Sequence, residues 1–67
     1  MTARDFANRF KPYVVIGPLV EQAGWTQTAW YTAVSRDREL APDELEKLRE
    51  ALREHARTIN RLARSVK

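Results

Sequence analysis

Apolar side chains recur along this chain at spacings of three and four residues, broken by short polar or proline-containing stretches, and that rhythm predicts helices. Phe6 and Phe10 are four apart and share one face. Thr2 is placed to cap a helix over 3–11 with Asp5 in its first turn, and Pro12 ends that helix because a residue before proline leaves the α region. Tyr13, Val14, Val15 and Ile16 form a run of strand character. No second strand is at hand to pair with it, so the run is expected as a buried connection or a further helical turn begun by Pro12. Pro18 suits the start of a helix over 18–23 with Leu19, Val20 and Ala23 inward, and Gly24 suits the left-handed residue that ends it. Thr26 then caps a third helix over 27–35, whose inner face is Trp30, Ala33 and Val34. Arg36, Asp37, Arg38 and Glu39 read as a loop. Pro42, Asp43 and Glu44 load the start of a last helix over about 43–66. The class is all-α: four to five helices in one small domain, residues 1–67, the last helix long.

That last helix carries a seam. Leu45, Leu48, Leu52, His55, Ile59, Leu62 and Val66 alternate at three and four residues, and Ala51, Ala56 and Ala63 widen the stripe. A stripe this wide suits packing on a domain better than a strict two-stranded coil. Leu45, Leu48 and Leu52 are expected to cover the rest of the chain. Ile59, Leu62 and Val66 have little chain left to pack on, so His55, Ile59, Leu62 and Val66 are expected to form a homodimer interface. His55 is expected as a half-buried residue at the edge of that interface, with a pH-sensitive contact as its rival role.

The corner at Gly24 is the most informative feature. A helix-turn-helix needs two short helices meeting steeply at a tight turn, a residue there that tolerates positive φ, and apolar side chains on either side. Leu19 and Ala23 precede Gly24, Trp25 follows, and Trp30 and Ala33 come from the next helix, so 16–35 is expected to be a helix-turn-helix. Trp25 and Trp30 are expected in the core rather than as stacking platforms for nucleic acid.

Segment 16–35 resembles the phage-repressor-like helix-turn-helix family, which includes many small repressors and antitoxins. The resemblance extends more loosely through 40–52, similar to the family's loop and fourth helix. It implies that the helix after the turn is a recognition helix in the major groove of double-stranded DNA. The base-contacting residues it implies are Thr26, Gln27, Thr28, Tyr31, Thr32 and Ser35, with Arg36 and Arg38 on phosphates. The chemistry suits this: a glutamine amide pairs with adenine in bidentate fashion, and a threonine offers a hydroxyl or a methyl to a base edge. The segment departs from the family at three points. Ile16 stands where a polar residue is common, Val20 where alanine lets the helices touch, and no arginine or lysine precedes Arg36 in the recognition helix.

Composition narrows the function without choosing it. The 67 residues hold no cysteine and one histidine, which leaves no thiolate metal site and no disulfide. No glycine-rich phosphate loop or paired catalytic carboxylates stand out, so no enzyme activity, cofactor, metal or small-molecule substrate is expected. The longest apolar run is far short of a membrane span and the first residues lack a secretory core, so no membrane partner is expected and the reading is cytoplasmic. The net charge of +3 leans weakly toward an acidic partner. After Ala51, Arg53, Arg57, Arg61, Arg64 and Lys67 face one acid, Glu54. Those bases complement the helix dipole, with phosphate contact as their rival role. The expected function is a sequence-specific DNA-binding regulator, a repressor acting as a homodimer on an inverted repeat. The alternative is a small helical protein-interaction module, an inhibitor or adaptor, gripping its target with the long helix.

Overall fold

The computed structural model describes residues 1–66, which fold into four helices: α1 Ala3–Phe10, α2 Ile16–Gln22, α3 Gln27–Ser35 and α4 Pro42–Ala63. Lys67, one of the bases counted above, lies outside the described residues. The fold is all-α, and none of its helices is long and apolar enough to cross a membrane among the described residues.

Each helix begins and ends for a local reason. Thr2 and Asp5 form a reciprocal capping box: the Asp5 N–H donates to Thr2 Oγ1 at 3.1 Å and the Thr2 N–H to Asp5 Oδ2 at 3.4 Å. α1 ends at Phe10, but Lys11 stays in the right-handed helical region at φ −54° and ψ −31°, so Pro12 does not drive the residue before it out of that region. The chain goes on in a turn, with the Tyr13 and Val14 N–H groups both donating to the Phe10 carbonyl. α2 begins two residues earlier than proline placement suggests, with Val15 as its N-cap and Pro18 inside the first turn. Proline is tolerated there because its missing N–H would have had no partner. Gly24 at φ 98° closes α2: its N–H donates to the Glu21 carbonyl at 3.0 Å and the Trp25 N–H to the Val20 carbonyl at 2.9 Å, the paired bonds of a Schellman cap. α3 ends the same way on Asp37 at φ 50°, with bonds from Asp37 to Val34 and from Arg38 to Ala33. Ala41 lacks a capping side chain, but its N–H donates to Glu44 Oε1 at 2.9 Å, and Pro42 begins α4.

The core is one cluster. Ala3 and Phe6 of α1, Leu19 and Val20 of α2, Ala23, Trp30 and Ala33 of α3, Leu40, and Leu48 and Ala51 of α4 are buried together. Aromatic rings run through it in sequence. Phe10 packs on Phe6 with centroids 4.7 Å apart, Phe6 meets Trp30 edge-on at 5.8 Å, and Trp30 meets Trp25 edge-on at 5.1 Å. The loop after α3 is stitched to the chain's first residues: the Ala3 N–H donates to the Arg38 carbonyl at 2.8 Å and the Leu40 N–H to Met1 at 3.0 Å. Buried Leu40 pins this seam from within.

Two expectations change. Of the two readings of the run from Tyr13 to Ile16, the buried connection fails, since Tyr13 is 80% exposed and Val15 is exposed as well. The further turn at Pro12 holds, since the Tyr13 and Val14 N–H groups both donate to the Phe10 carbonyl. Only Val14 and Ile16 reach the core, so a β-branched run here makes a surface turn with two inward anchors. The last helix ends at Ala63, three residues short of 66. From Ala56 onward it is exposed and projects beyond the body, consistent with dimensions of 44 × 21 × 19 Å. A 22-residue helix is about 33 Å long, much longer than the body it leaves.

Candidate nucleic-acid interface

The outer side of α3 is polar because its inner side is anchored. Trp30 and Ala33 are buried and Val34 is half-buried, which turns Thr28, Tyr31, Thr32 and Ser35 toward solvent at spacings of three and four. Tyr31 is 74% exposed. Among the described residues the side chains of Thr28, Tyr31 and Thr32 make no hydrogen bond within the protein, so their donors and acceptors face outward unspent. Thr26 caps the helix, its Oγ1 accepting the Ala29 N–H at 3.1 Å, which leaves the hydroxyl proton free to donate.

Gln27 is held differently. Its Nε2 donates to the Gly17 carbonyl at 3.0 Å and to Glu21 Oε1 at 2.7 Å, tying the start of α3 to α2. Gly17 permits this approach, since a Cβ there would sit 3.3 Å from the Gln27 amide nitrogen. The amide must leave Glu21 to pair with a base, or keep both bonds and offer only its oxygen.

At the other end of α3, the structure separates the two predicted phosphate contacts. Arg36 is exposed with no carboxylate partner among the described residues. Arg38 instead turns toward α4, donating to Glu44 at 2.8 Å with its guanidinium 5.2 Å from the Trp25 ring centre. The Arg38 hydrogen bond, helped by the Ala41 N–H, holds the Glu44 carboxyl below the usual glutamate range. Arg4 is a cation that sequence reasoning missed. It donates to the Ser35 carbonyl at 3.1 Å and lies 3.9 Å from Asp37, capping the negative end of α3. Its partners are about thirty residues away, so no spacing in the sequence signals them.

A second surface lies on α4. His55 is half-buried, while Ile59, Leu62 and Val66 are 50%, 57% and 77% exposed. The first two border an open apolar groove of about 410 Å³ whose other wall is Phe10, Tyr13 and Val14. The charges of α4 lie elsewhere: Glu46, Glu50 and Glu54 pair with Arg49, Arg53 and Arg57 in a ladder of exposed ion pairs. Arg53 and Arg57, weighed above for phosphate contact, belong to this ladder. Among the described residues no group of histidine and carboxylate side chains is arranged to hold a metal ion. Compared with family models, curated proteins and solved structures, the chain finds no match.

Proposed function

We propose that this protein is a sequence-specific DNA-binding transcriptional regulator, a repressor that acts as a homodimer on an inverted-repeat operator. In this reading 16–35 is a helix-turn-helix of the phage-repressor-like kind and α3 is its recognition helix. The observation that carries it is the outward face of α3. Thr28, Tyr31 and Thr32 project from a short helix braced from behind by Trp30 and Ala33, with their hydrogen-bonding groups unspent. A nine-residue helix is about 14 Å long and fits a major groove about 12 Å wide when entered end-first or obliquely.

The mechanism follows from those groups. Thr28 and Thr32 offer hydroxyls and methyls to base edges, Tyr31 its phenol, and Thr26 and Ser35 sit at the two ends of the helix. Gln27 reads a base through whichever of its amide atoms is released from α2. Arg36 holds a phosphate beside the groove, and Arg4 and Arg38 keep the frame around it rigid. One such helix covers few base pairs, so two copies on inverted half-sites supply the specificity, and the bound dimer blocks polymerase by occupying the operator.

The test is selection of a preferred duplex from random DNA, followed by a mobility-shift titration at two salt concentrations. The proposal expects a preferred sequence and a steep loss of affinity as salt rises, because bound phosphates release counterions. No shift even at low salt overturns it. The exposed apolar end of α4 would then favour the protein-interaction module.

A further inference from the structure

We propose that the homodimer forms by antiparallel pairing of the two α4 tails about Ile59, each tail filling the groove that the other copy makes between α4 and the turn after α1. This deepens the homodimer reading above and rests on it for its link to DNA. It adds Tyr13, Val14 and Phe10 as the receiving wall.

The first ground is the register. In an antiparallel pair centred on Ile59, Ile59 meets its own copy. Leu62 faces Ala56 of the partner subunit and Ala63 faces the partner's His55, at the end of α4. On either side of the central Ile59 pair a large side chain meets a small one, the pattern that lets two helices interlock closely. Parallel pairing would instead set Leu62 on Leu62, His55 on His55 and Ala56 on Ala56, alternating crowding with gaps. The antiparallel register also carries each Leu62 over the groove lined by Phe10, Tyr13, Val14, Leu52 and His55, which is otherwise open.

The second ground is charge. At helical periodicity the stripe of Leu52, Ala56, Ile59 and Leu62 is flanked in the tail of α4 by Thr58 and Asn60, both uncharged. Arg57, Arg61 and Arg64 fall on the far side, with Glu50 and Glu54. Two copies therefore approach without opposing like charges, and nothing at the edge of the stripe calls for a charged partner.

The third ground is size. Tyr13, Ile59, Leu62 and Val66 are all half or more exposed. With the groove lining they make one continuous apolar surface, and a stable interface at the small end of the range covers roughly 600 Å² per partner.

The chain has no cysteine, so single cysteines report the pairing cleanly. Sedimentation equilibrium of the full chain without DNA is expected to give a dimer, Leu62→Arg a monomer, and Tyr13→Ala a dimer about tenfold weaker. Both changes fall on exposed positions, and circular dichroism checks that each variant keeps its helices. Under mild oxidation Ile59→Cys is expected to cross-link to itself and His55→Cys is not, since its two copies would lie roughly 12 Å apart along the axis. A mixture of Ala56→Cys and Leu62→Cys is expected to give the mixed cross-link. A monomeric wild-type chain, or self-cross-linking by His55→Cys, overturns the proposal. A dimer that leaves DNA unshifted would sink the DNA reading and spare the pairing; a monomer that shifts DNA would do the reverse.

Discussion

Single residues decide whether the two short helices meet at the right corner. Gly24 sits at φ 98°, where a side chain is strained whatever space surrounds it, and a Cβ there would meet nothing within 4 Å. Gly24→Ala therefore costs backbone strain alone, about 1–2 kcal/mol. In a domain of this size that lowers Tm by roughly 4–16 °C, as thermal unfolding would read. Glu44 ties stability to pH. Because Arg38 and the Ala41 N–H hold its folded pKa below the unfolded value, its contribution is present above the usual glutamate pKa and is lost as pH falls through the folded one. Unfolding midpoints measured between pH 6 and pH 3 should fall for the wild type, and fall less for Glu44→Gln. Local residue roles were legible where they act within one turn. Thr2 and Thr26 as caps and Gly24 as a helix end follow from near neighbours. The pairing of Arg38 with Glu44 and its place 5.2 Å from the Trp25 ring centre do not. Nothing local to 36–39 shows that the loop returns to α4.

At the scale of elements, α4 does two jobs along its length. Its first half closes the core through Leu48 and Ala51, and its second half leaves the body. Leu48→Ala removes a fully buried side chain at a cost of about 2–5 kcal/mol. That approaches the whole stability of so short a chain, so its denaturation midpoint should collapse. Leu62→Ala, assayed dilute enough to remain monomeric, should stay within about 0.5 kcal/mol of the wild type. The seam in the sequence foretold this division because burial needs chain to pack against, and too little remains beyond Leu52. For the segment from Tyr13 to Ile16 the reading as a further turn at Pro12 holds, and the reading as a buried connection fails for a related reason. Its β-branched character is strong locally, but position in the fold decides burial, and only Val14 and Ile16 face inward. The start of α2 was placed late because Pro18 marks the first turn without saying which residue of that turn it occupies.

For the molecule as a whole, the proposed DNA interface is a narrow polar face. Arg36 lacks a carboxylate partner among the described residues, while Arg4, Arg38, Arg49, Arg53 and Arg57 are engaged in ion pairs. Arg36 is therefore the free cation at the end of α3 that can meet a phosphate. Arg36→Gln, present twice in a dimer, should reduce the slope of log affinity against log salt by about 2 while leaving sequence preference intact. The all-helical architecture and the polar outer side of α3 were legible from periodicity alone. The tie between Gln27, Gly17 and Glu21, and the groove that Tyr13 builds against α4, were not, because they depend on how elements pack. The central claim is that α3 reads a DNA groove. It is tested most directly by mapping backbone amide resonances of the labelled chain as a selected duplex is added. The account predicts the largest changes across 26–36 of α3 and its flanks, with the α4 tail little affected. Changes confined to the tail, or none at saturating duplex, would contradict it.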